Sequence, residues 1–371
     1  MINSTIQSYQ NEEGLNSLRK IWQNMICDSP STSFFHYFQW YQSITASILK
    51  NTSPIFFFTL FHDNNAVAIF PLQYKKISIA GIICNALEIP DHDHIDLSDF
   101  IYSPDTDPDD CVAALVTFLK KQKHIHWDIL RLPHLLSNSP TFQALQNMPH
   151  YLLTVEKTGT SDVISCREPY NELQKKFSKN FRGNLRKARN KLTRQKNVQT
   201  RTLHDEKDLL QGFQDFLHVE ASGWKGKNGT GTAIQLHPEL VTFYGQLIKN
   251  FSKTGECEIN LLTVDNKCIA GQFCLAVHDI LYILKIGYDP EYARLAPGNM
   301  LLEHTITRLA ANSQINCLSL VTGTKWHADW KPESQQVIRC SIFNHTFKGR
   351  AAHSLLKTKN TAKMAYKKIK K

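Results

Sequence analysis

The chain has 371 residues, of which 42% are hydrophobic, and it carries a formal net charge of +10 at pH 7. A chain of this length predicts two domains, and the ordinary hydrophobic share allows each of them a sizeable core. No stretch approaches the length of a membrane span, and residues 1–14 lack the basic and apolar segments of a signal peptide, so a cytoplasmic protein is predicted.

The first 150 residues are predicted to run α, α, β, β, β, α, β. Helical periodicity distinguishes the helices, and β-branched and aromatic runs distinguish the strands. The turn-forming residues 62–65 lie between two such runs and predict a hairpin. The predicted helices are 15–25, 37–49 and 109–120, and the predicted strands are 55–61, 67–74, 77–87 and 127–132.

The loop of residues 91–96 alternates Asp and His. These residue types ligate metals, but neighbouring loop residues seldom converge on one ion. A hydrogen-bonded loop is therefore expected here, and no metal site is predicted.

Residues 171–196 are predicted to form an amphipathic helix, with a break at Gly183. Its apolar side chains recur every three or four residues: Leu173, Phe177, Phe181, Leu185, Ala188 and Leu192. The opposite face is strongly basic. That face is either a solvated surface or a binding surface for phosphate or an acidic polymer.

The second half repeats the order of the first. A turn at residues 265–267 corresponds to the turn at 62–65, which indicates an internal duplication of one α/β unit. The predicted helices are 209–220, 238–251 and 301–311, and the predicted strands are 258–264, 269–277, 282–288 and 317–321.

Residues 282–302 are predicted to form a strand, a loop and a helix. Asn299 can cap the helix, whose first turn has free N–H groups and a positive dipole end. Gly298 allows a ligand to approach closely, and Arg294 adds a permanent charge. This stretch is either an anion-binding loop or an ordinary turn of an α/β protein.

Positive charge is concentrated in two segments. Residues 175–196 contain ten Lys and Arg and residues 348–371 contain nine, and neither contains an acid, so the remaining chain has a net charge of −9. Local basicity predicts a local anionic partner, such as RNA or an anionic surface, and the second segment would suit a flexible electrostatic tether.

Nine cysteines are scattered along the chain, and no two form a Cys-x-x-Cys motif. This distribution predicts buried free thiols in a reducing compartment, and it disfavours disulfides and a zinc site. The cysteines are Cys27, Cys84, Cys111, Cys166, Cys257, Cys268, Cys274, Cys317 and Cys340.

The second half resembles the acyl-CoA-binding core of the GNAT N-acyltransferase superfamily. More narrowly, the chain is similar to the CelD-like (cellulose-biosynthesis) acetyltransferase branch, which is related to the Fem peptidyltransferases. The loop departs from the usual Gln/Arg-x-x-Gly-x-Gly/Ala pattern at Pro297 and Asn299. The residues that carry the resemblance are the loop 288–298, the basic run 177–186, the segment 220–226 with Gly229 and Thr230, and the segment 323–326 ahead of Trp330.

This resemblance implies an α/β fold of tandem GNAT-like units, each a mixed, mainly antiparallel sheet flanked by helices. The implied segments are an N-terminal unit (1–160), a basic connecting helix (161–200), a C-terminal acyltransferase unit (201–350) and a basic tail (351–371). The N-terminal unit lacks an Arg-x-x-Pro-Gly loop. It is therefore expected to shape an acceptor cleft, and not to bind a second cofactor.

In a GNAT-type reaction an amine or hydroxyl attacks a thioester directly, so no nucleophilic side chain is required. The resemblance implies acetyl-CoA or another acyl-CoA as donor and a sugar, polysaccharide precursor or amino compound as acceptor. The implied site has three parts. The acid is Tyr288 or Tyr292 and the base Glu220 or Asp289; the donor is held by Lys285, Ile286, Gly287, Arg294, Pro297, Gly298 and Asn299; the acceptor contacts Trp224, Lys225, Lys325 and Trp326.

Two other functions compete with acyl-CoA-dependent transfer. One is Fem-like transfer from aminoacyl-tRNA, for which the basic segments 175–196 and 348–371 would suit the RNA backbone. The other is a noncatalytic GNAT-like scaffold that binds nucleic acid or an anionic membrane surface through the basic tail.

Overall fold

The computed structural model describes residues 4–26, 32–122, 124–148, 151–312 and 314–369, with the backbone alone from residue 360. The helices are α1 (Asn11–Ile26), α2 (Phe38–Thr45), α3 (Pro108–Lys121), α4 (Pro140–Gln146), α5 (Tyr170–Lys175), α6 (Lys179–Leu192), α7 (Glu206–Ser222), α8 (Pro238–Phe251), α9 (Pro297–Ala310) and α10 (Phe347–Ile369). The strands are β1 (Ser4–Gln10), β2 (Ile55–His62), β3 (Asn65–Ile79), β4 (Ile82–Glu88), β5 (Ile101–Tyr102), β6 (Ile129–Leu136), β7 (Leu152–Ser165), β8 (Gln199–Leu203), β9 (Cys257–Val264), β10 (Lys267–Val277), β11 (Ile280–Tyr288), β12 (Cys317–Ser319) and β13 (Glu333–Phe343). Short 3₁₀ helices cover 34–36, 234–236, 252–254, 290–295 and 325–330.

The chain divides into two compact units. The first contains residues 1–42, 51–159 and 336–371, and the second contains residues 43–50 and 160–335. This division differs from the four expected segments. Residues 336–371 join the first unit because β13 pairs antiparallel with β6, and the basic helix joins the second because Phe181 and Leu185 are buried in its core.

Each unit has a mixed, mainly antiparallel sheet, as predicted. In the first unit the strand order is β1-β2-β3-β4-β6-β13, and β4 and β6 are parallel. In the second unit the end of β7 is followed by β12, β11, β10, β9 and β8, and β11 and β12 are parallel. Among the described residues each unit therefore has a parallel strand pair, whose two carboxyl ends lie at the same edge of its sheet.

Both predicted hairpins are confirmed, and their turn residues explain them. Asp63 and Asn64 have φ angles of 46° and 71°, and Asp265 and Asn266 have 49° and 63°. Asn and Asp tolerate this left-handed conformation, and it is the one that a two-residue hairpin turn requires. A further turn of the same hand at residues 80–81 divides the predicted strand 77–87 between β3 and β4.

The predicted amphipathic helix is interrupted, but not at Gly183. The break lies at residues 176–178, between α5 and α6, and Gly183 lies inside α6. Ser178 begins the new helix because its Oγ accepts a hydrogen bond from the N–H of Phe181 at 3.1 Å. The apolar stripe is buried as predicted, with Phe177 and Phe181 packed edge-on against Trp330.

Other predictions need correction at the ends of elements. Helix α2 ends at Thr45, short of the predicted Leu49. Strand β1 and helix α4 are not among the predicted elements. Strand β1 is an edge strand with a largely exposed face, so it lacks an apolar pattern, and the signal for α4 is only the cap Ser139 with Pro140 at the first helical position. The basic tail is helical: it forms α10, anchored by the buried Ala352, so its first turns are not a flexible tether.

The loop of residues 91–96 is held by hydrogen bonds. Asp91 is 2.8 Å from Nε2 of His134, and this bond lowers the pKa of the Asp91 carboxyl. Within the described residues no three His, Cys, Asp or Glu side chains converge on a common point. The eight described cysteines are unpaired, and Cys27 lies outside the described residues. No helix of the described chain is long and apolar enough to span a membrane.

Candidate active site

The parallel strands β11 and β12 pair over only three residues. The pairs are Ile280 with Cys317, Leu281 with Leu318 and Tyr282 with Ser319. Strand β12 then ends, whereas β11 continues to Tyr288. Among the described residues, 283–288 therefore have no strand partner on this side, and their backbone forms an open edge that an extended ligand can approach.

A β-bulge marks the point where this edge begins. The register between β10 and β11 shifts from Phe273–Lys285 to Cys274–Ile283, so Leu284 is the extra residue. A bulge bends its strand and increases the local twist. The bulge therefore accounts for the early end of the pairing between β11 and β12.

The open edge leads to the N-terminus of α9. Helix α9 begins at Pro297, after Ala296 in the left-handed conformation, so the prediction that Asn299 is the N-cap is wrong. Proline suits the first helical position because it has no N–H and its φ is already helical. The N–H of Met300 bonds to the carbonyl of Ala296 at 3.0 Å, and the N–H groups of Gly298 and Asn299 precede it at the helix end.

The basic helix α6 lies beside the loop that leads into this helix end. Arg294 is exposed in the loop, and its carbonyl accepts a hydrogen bond from Nζ of Lys191 in α6 at 3.4 Å. Arg189 of α6 makes a forked ion pair with Glu303 of α9, with two bonds of 3.1 Å. These contacts hold the basic helix beside the loop, where its charge adds to the positive end of the α9 dipole.

A buried ion pair joins α7 to the segment that follows it. Glu220 is only 3% exposed; its Oε1 lies 3.0 Å from Nζ of Lys225, and its Oε2 accepts the N–H of Ile234 at 3.0 Å. Nζ of Lys225 also donates to the carbonyl of Ile286 at 3.1 Å. The predicted base and a predicted acceptor contact thus lie together against the edge strand β11.

Gly287 packs directly against Glu220. A Cβ placed on Gly287 would lie 2.5 Å from Cα of Glu220 and 2.9 Å from its backbone N. No side chain fits in that space. The glycine therefore allows α7 to approach β11 closely.

Tyr288 and Asp289, predicted as a catalytic acid and a catalytic base, have different surroundings. Asp289 is buried; its Oδ2 is 2.8 Å from Nζ of Lys267 and its Oδ1 accepts the N–H of Glu291 at 3.0 Å. It thereby caps the 3₁₀ helix 290–295, and its hydrogen bond raises the pKa of Lys267. Tyr288 is 45% exposed, and its Cδ1 lies 3.9 Å from the place of a Cβ on Gly298.

The remaining predicted acceptor contacts lie on two segments. Trp224 is 66% exposed, and Nζ of Lys225 lies 5.8 Å from its ring centroid. Lys325 and Trp326 are exposed at the start of the 3₁₀ helix that follows β12. The structure shows no contact of either residue with Glu220 or Lys225. Lys285 lies on β11 opposite Phe273.

Sequence reasoning missed a polar cluster beside a cavity of about 360 Å³ in the second unit. Nδ1 of the buried His327 is 2.8 Å from Oδ2 of Asp162, and Oγ of Ser334 is 2.5 Å from Oδ1. Burial lowers the pKa of His327, and Asp162 partly opposes that shift. His327 follows the segment 323–326, but Asp162 is 165 residues away in sequence and carries no motif.

Residues 179–332 match a family model described as an acetyltransferase (GNAT) domain. The chain carries a GNAT acetyltransferase domain. The matched residues include α6, the edge of β11 and the loop leading into α9. The chain is therefore a transferase of the GNAT type, and this finding favours the two enzyme functions over the noncatalytic scaffold. The narrower CelD-like resemblance stays a prediction.

Two solved structures share the fold over most of the chain. FemX is 12% identical with a TM-score of 0.55, and the match covers 87% of this chain and 95% of that chain. L-PGS from Bacillus licheniformis is 11% identical with a TM-score of 0.53, covering 93% of this chain and 96% of that chain. Identities this low show the fold alone. None of the curated proteins searched matches the chain.

Proposed function

We propose that the chain transfers an acyl group from acyl-CoA to an amine or hydroxyl of a sugar, polysaccharide precursor or amino compound. The observation that carries this proposal is the open edge of residues 283–288, which leads to the free N–H groups at the start of α9. The pantetheine arm lies along that edge, and the pyrophosphate meets the helix end and Arg294.

In this proposal the acceptor attacks the thioester carbonyl, the carbon–sulfur bond breaks, and the thiolate leaves with a proton. Tyr288 is the proposed acid because it is exposed beside Gly298, where the donor enters. Tyr292 is half-buried, and Nζ of Lys267 lies 5.1 Å from its ring centroid. Of the two carboxylates, Glu220 is better placed as the base, since its partner Lys225 belongs to the acceptor-side segment.

Calorimetric titration with acetyl-CoA and with CoA tests the donor class. We expect one site per chain with a dissociation constant of about micromolar order. The variant Arg294→Ala, Gly298→Trp should lose this binding, because it removes the exposed charge and fills the space before the helix end. Gly298→Ala is the matched control, since its Cβ would meet only Cδ1 of Tyr288 at 3.9 Å.

Retained binding in the double variant would place the donor elsewhere and contradict the proposal. Two CoA molecules bound per chain would contradict the expectation that the first unit takes no second cofactor. A well-folded wild type that binds neither compound would exclude acyl-CoA as the donor.

Replacing the two tyrosines separately distinguishes the acid. Tyr288→Phe is expected to lower kcat by about a hundredfold, the usual effect of losing a general acid. Tyr292→Phe should leave kcat within about twofold, because its ring packs beside Lys267 and not at the donor entrance. The measurement is CoA release with the best acceptor from a screen. Equal effects of the two substitutions would remove Tyr288 from this role.

Aminoacyl-tRNA is the second candidate donor, and the exposed face of α6 is the observation that favours it. Lys179, Arg182, Arg186 and Lys187 are exposed and make no ion pair with any described residue. A helix of this charge beside the donor loop suits an RNA backbone, and binding through phosphates weakens steeply with salt. Salt-sensitive binding of aminoacyl-tRNA without affinity for CoA would favour this donor.

A further inference from the structure

The first unit contains a cavity of about 410 Å³ that the acyl-transfer proposal does not use. Its lining comes from three segments: residues 32–36, residues 98–108, which include β5 and lead into α3, and residues 136–140 at the end of β6. Exposed residues at its rim, among them Pro104 and Asn138, open it to solvent. The cavity lies at the carboxyl end of β6, one strand of the parallel pair β4 and β6.

The N-terminus of α3, beside this cavity, differs from the N-terminus of α9 in its charge. The side chain of Asp107 accepts the N–H of Asp109 at 2.9 Å, and Asp109 and Asp110 occupy the first turn of α3. These carboxylates already complement the positive end of the helix dipole, and they repel a second anion. A phosphate-bearing ligand such as CoA is therefore disfavoured here.

A buried carboxylate dominates the interior of the cavity. Asp99 is only 7% exposed; its Oδ2 accepts the hydroxyl of Ser139 at 2.6 Å, and its Oδ1 accepts the N–H of Phe100 at 2.7 Å. Burial raises the pKa of Asp99 to about 6, so the group is still mostly ionised at pH 7. No Lys or Arg is among the described residues that line the cavity. A buried charge without a cation is costly, and a cationic ligand would remove that cost.

A second polar group in the lining lacks a partner. Ser98 is 4% exposed, and its Oγ has no hydrogen-bond partner among the described atoms. Nδ1 of His36 accepts the N–H of Ser33 at 2.9 Å, and burial lowers the pKa of His36 to about 3, so this ring is neutral. The cavity thus offers a carboxylate, a free hydroxyl and the apolar ring of Phe35, but no cation of its own.

We propose that this cavity binds a small organic ammonium ligand that also carries hydroxyl groups, such as an amino sugar or amino alcohol. Its ammonium group pairs with Asp99, and one of its hydroxyls bonds to Ser98. The site is separate from the donor edge of the second unit. It therefore does not depend on the donor being acyl-CoA.

Titration of the full chain with glucosamine and with glucose tests this proposal, because the two probes differ at one position and only glucosamine is a cation. We expect glucosamine to bind the wild type at least about tenfold more tightly than glucose at pH 7.5. Asp99→Asn should abolish that difference. Glu13→Gln, an exposed carboxyl of α1 in the same unit, is the control and should retain it.

Ser98→Ala tests the proposal without lowering the stability of the folded chain. Because the hydroxyl has no partner in the protein, its removal should leave the unfolding temperature unchanged or raised, while glucosamine binding weakens by about fivefold. Equal binding of glucosamine and glucose by the wild type would overturn the proposal. So would wild-type glucosamine affinity in both Asp99→Asn and Ser98→Ala.

The pH dependence of folding checks the state of Asp99 without any ligand. Its pKa is raised in the folded chain, so stability is fully present below the unfolded value of 3.8 and is lost as pH rises through about 6. Asp99→Asn should therefore melt above the wild type at pH 8 and not at pH 4. The groups facing Asp99 do not titrate between pH 4 and pH 8. Burial raises the pKa of Tyr41 of α2 and of Tyr102 of β5, and His36 stays neutral because burial lowers its pKa.

Discussion

Replacement of Gly287 by alanine is expected to destabilise the chain by about 3 kcal/mol, at the upper end of overpacking effects, and to abolish acyl transfer. The added Cβ would lie 2.5 Å from Cα of Glu220 and 2.9 Å from its backbone N. Because the obstacle is the backbone of α7, it cannot rotate away as a side chain would. Helix α7 must therefore move away from β11, and the hydrogen bond from Lys225 to the Ile286 carbonyl is lost as a result.

Urea unfolding and CoA release measure the two effects. Gly298→Ala is the matched control: its Cβ meets nothing closer than 3.9 Å, and alanine favours the helix by up to about 1 kcal/mol over glycine. It should fold at least as well as the wild type. If Gly287→Ala has wild-type stability and activity, α7 is not held against the edge strand as described.

The second large effect is expected for Lys225→Met. This substitution leaves the buried Glu220 with the N–H of Ile234 and without its cation. Removing one partner of a buried pair costs about 3–5 kcal/mol, because the other charge stays buried and unpaired. The side chain of Lys225 is 20% exposed, so we expect the lower end of that range. Activity should fall as well, since the bond to the Ile286 carbonyl is also lost.

The control for this substitution is Lys227→Met, which removes an exposed lysine two residues away. It should change the free energy of unfolding by no more than about 0.5 kcal/mol. Adding Glu220→Gln to Lys225→Met should recover part of the stability, because it removes the unpaired charge. A similar loss in Lys225→Met and Lys227→Met would show that the pair contributes nothing beyond surface charge.

Local sequence signals predicted the elements that local chemistry controls. The hairpin turns were predictable because each consists of an Asp and an Asn, which readily adopt the left-handed conformation that such a turn requires. Helix α8 has the predicted bounds, Pro238–Phe251, because proline suits its first position and the apolar stripe runs to its end. Where two local signals compete, the stronger one decides: Pro297 and not Asn299 begins α9, and Ser178 and not Gly183 marks the break before α6.

Contacts between distant segments were not predictable. The sequence predicts Glu220 and Lys225 as separate site residues, but nothing in it shows that they pair or that both lie against Ile286 and Gly287. No sequence pattern marks Asp99 and Ser98, because a carboxyl and a hydroxyl of buried residues look the same in the sequence as those of exposed ones.

Short-range sequence patterns predict the class of fold, the strand–loop–helix stretch of residues 282–302 and the GNAT resemblance, because each rests on residues close together in the chain. The position of the open edge depends instead on which distant strands pair, and that is seen in the folded chain alone. The edge of β11 is free because β12 ends at Ser319. The two strands pair across the whole of the loop and α9 that separate them in the chain. Burial likewise raises the pKa of Asp99, and that burial depends on every neighbouring element at once.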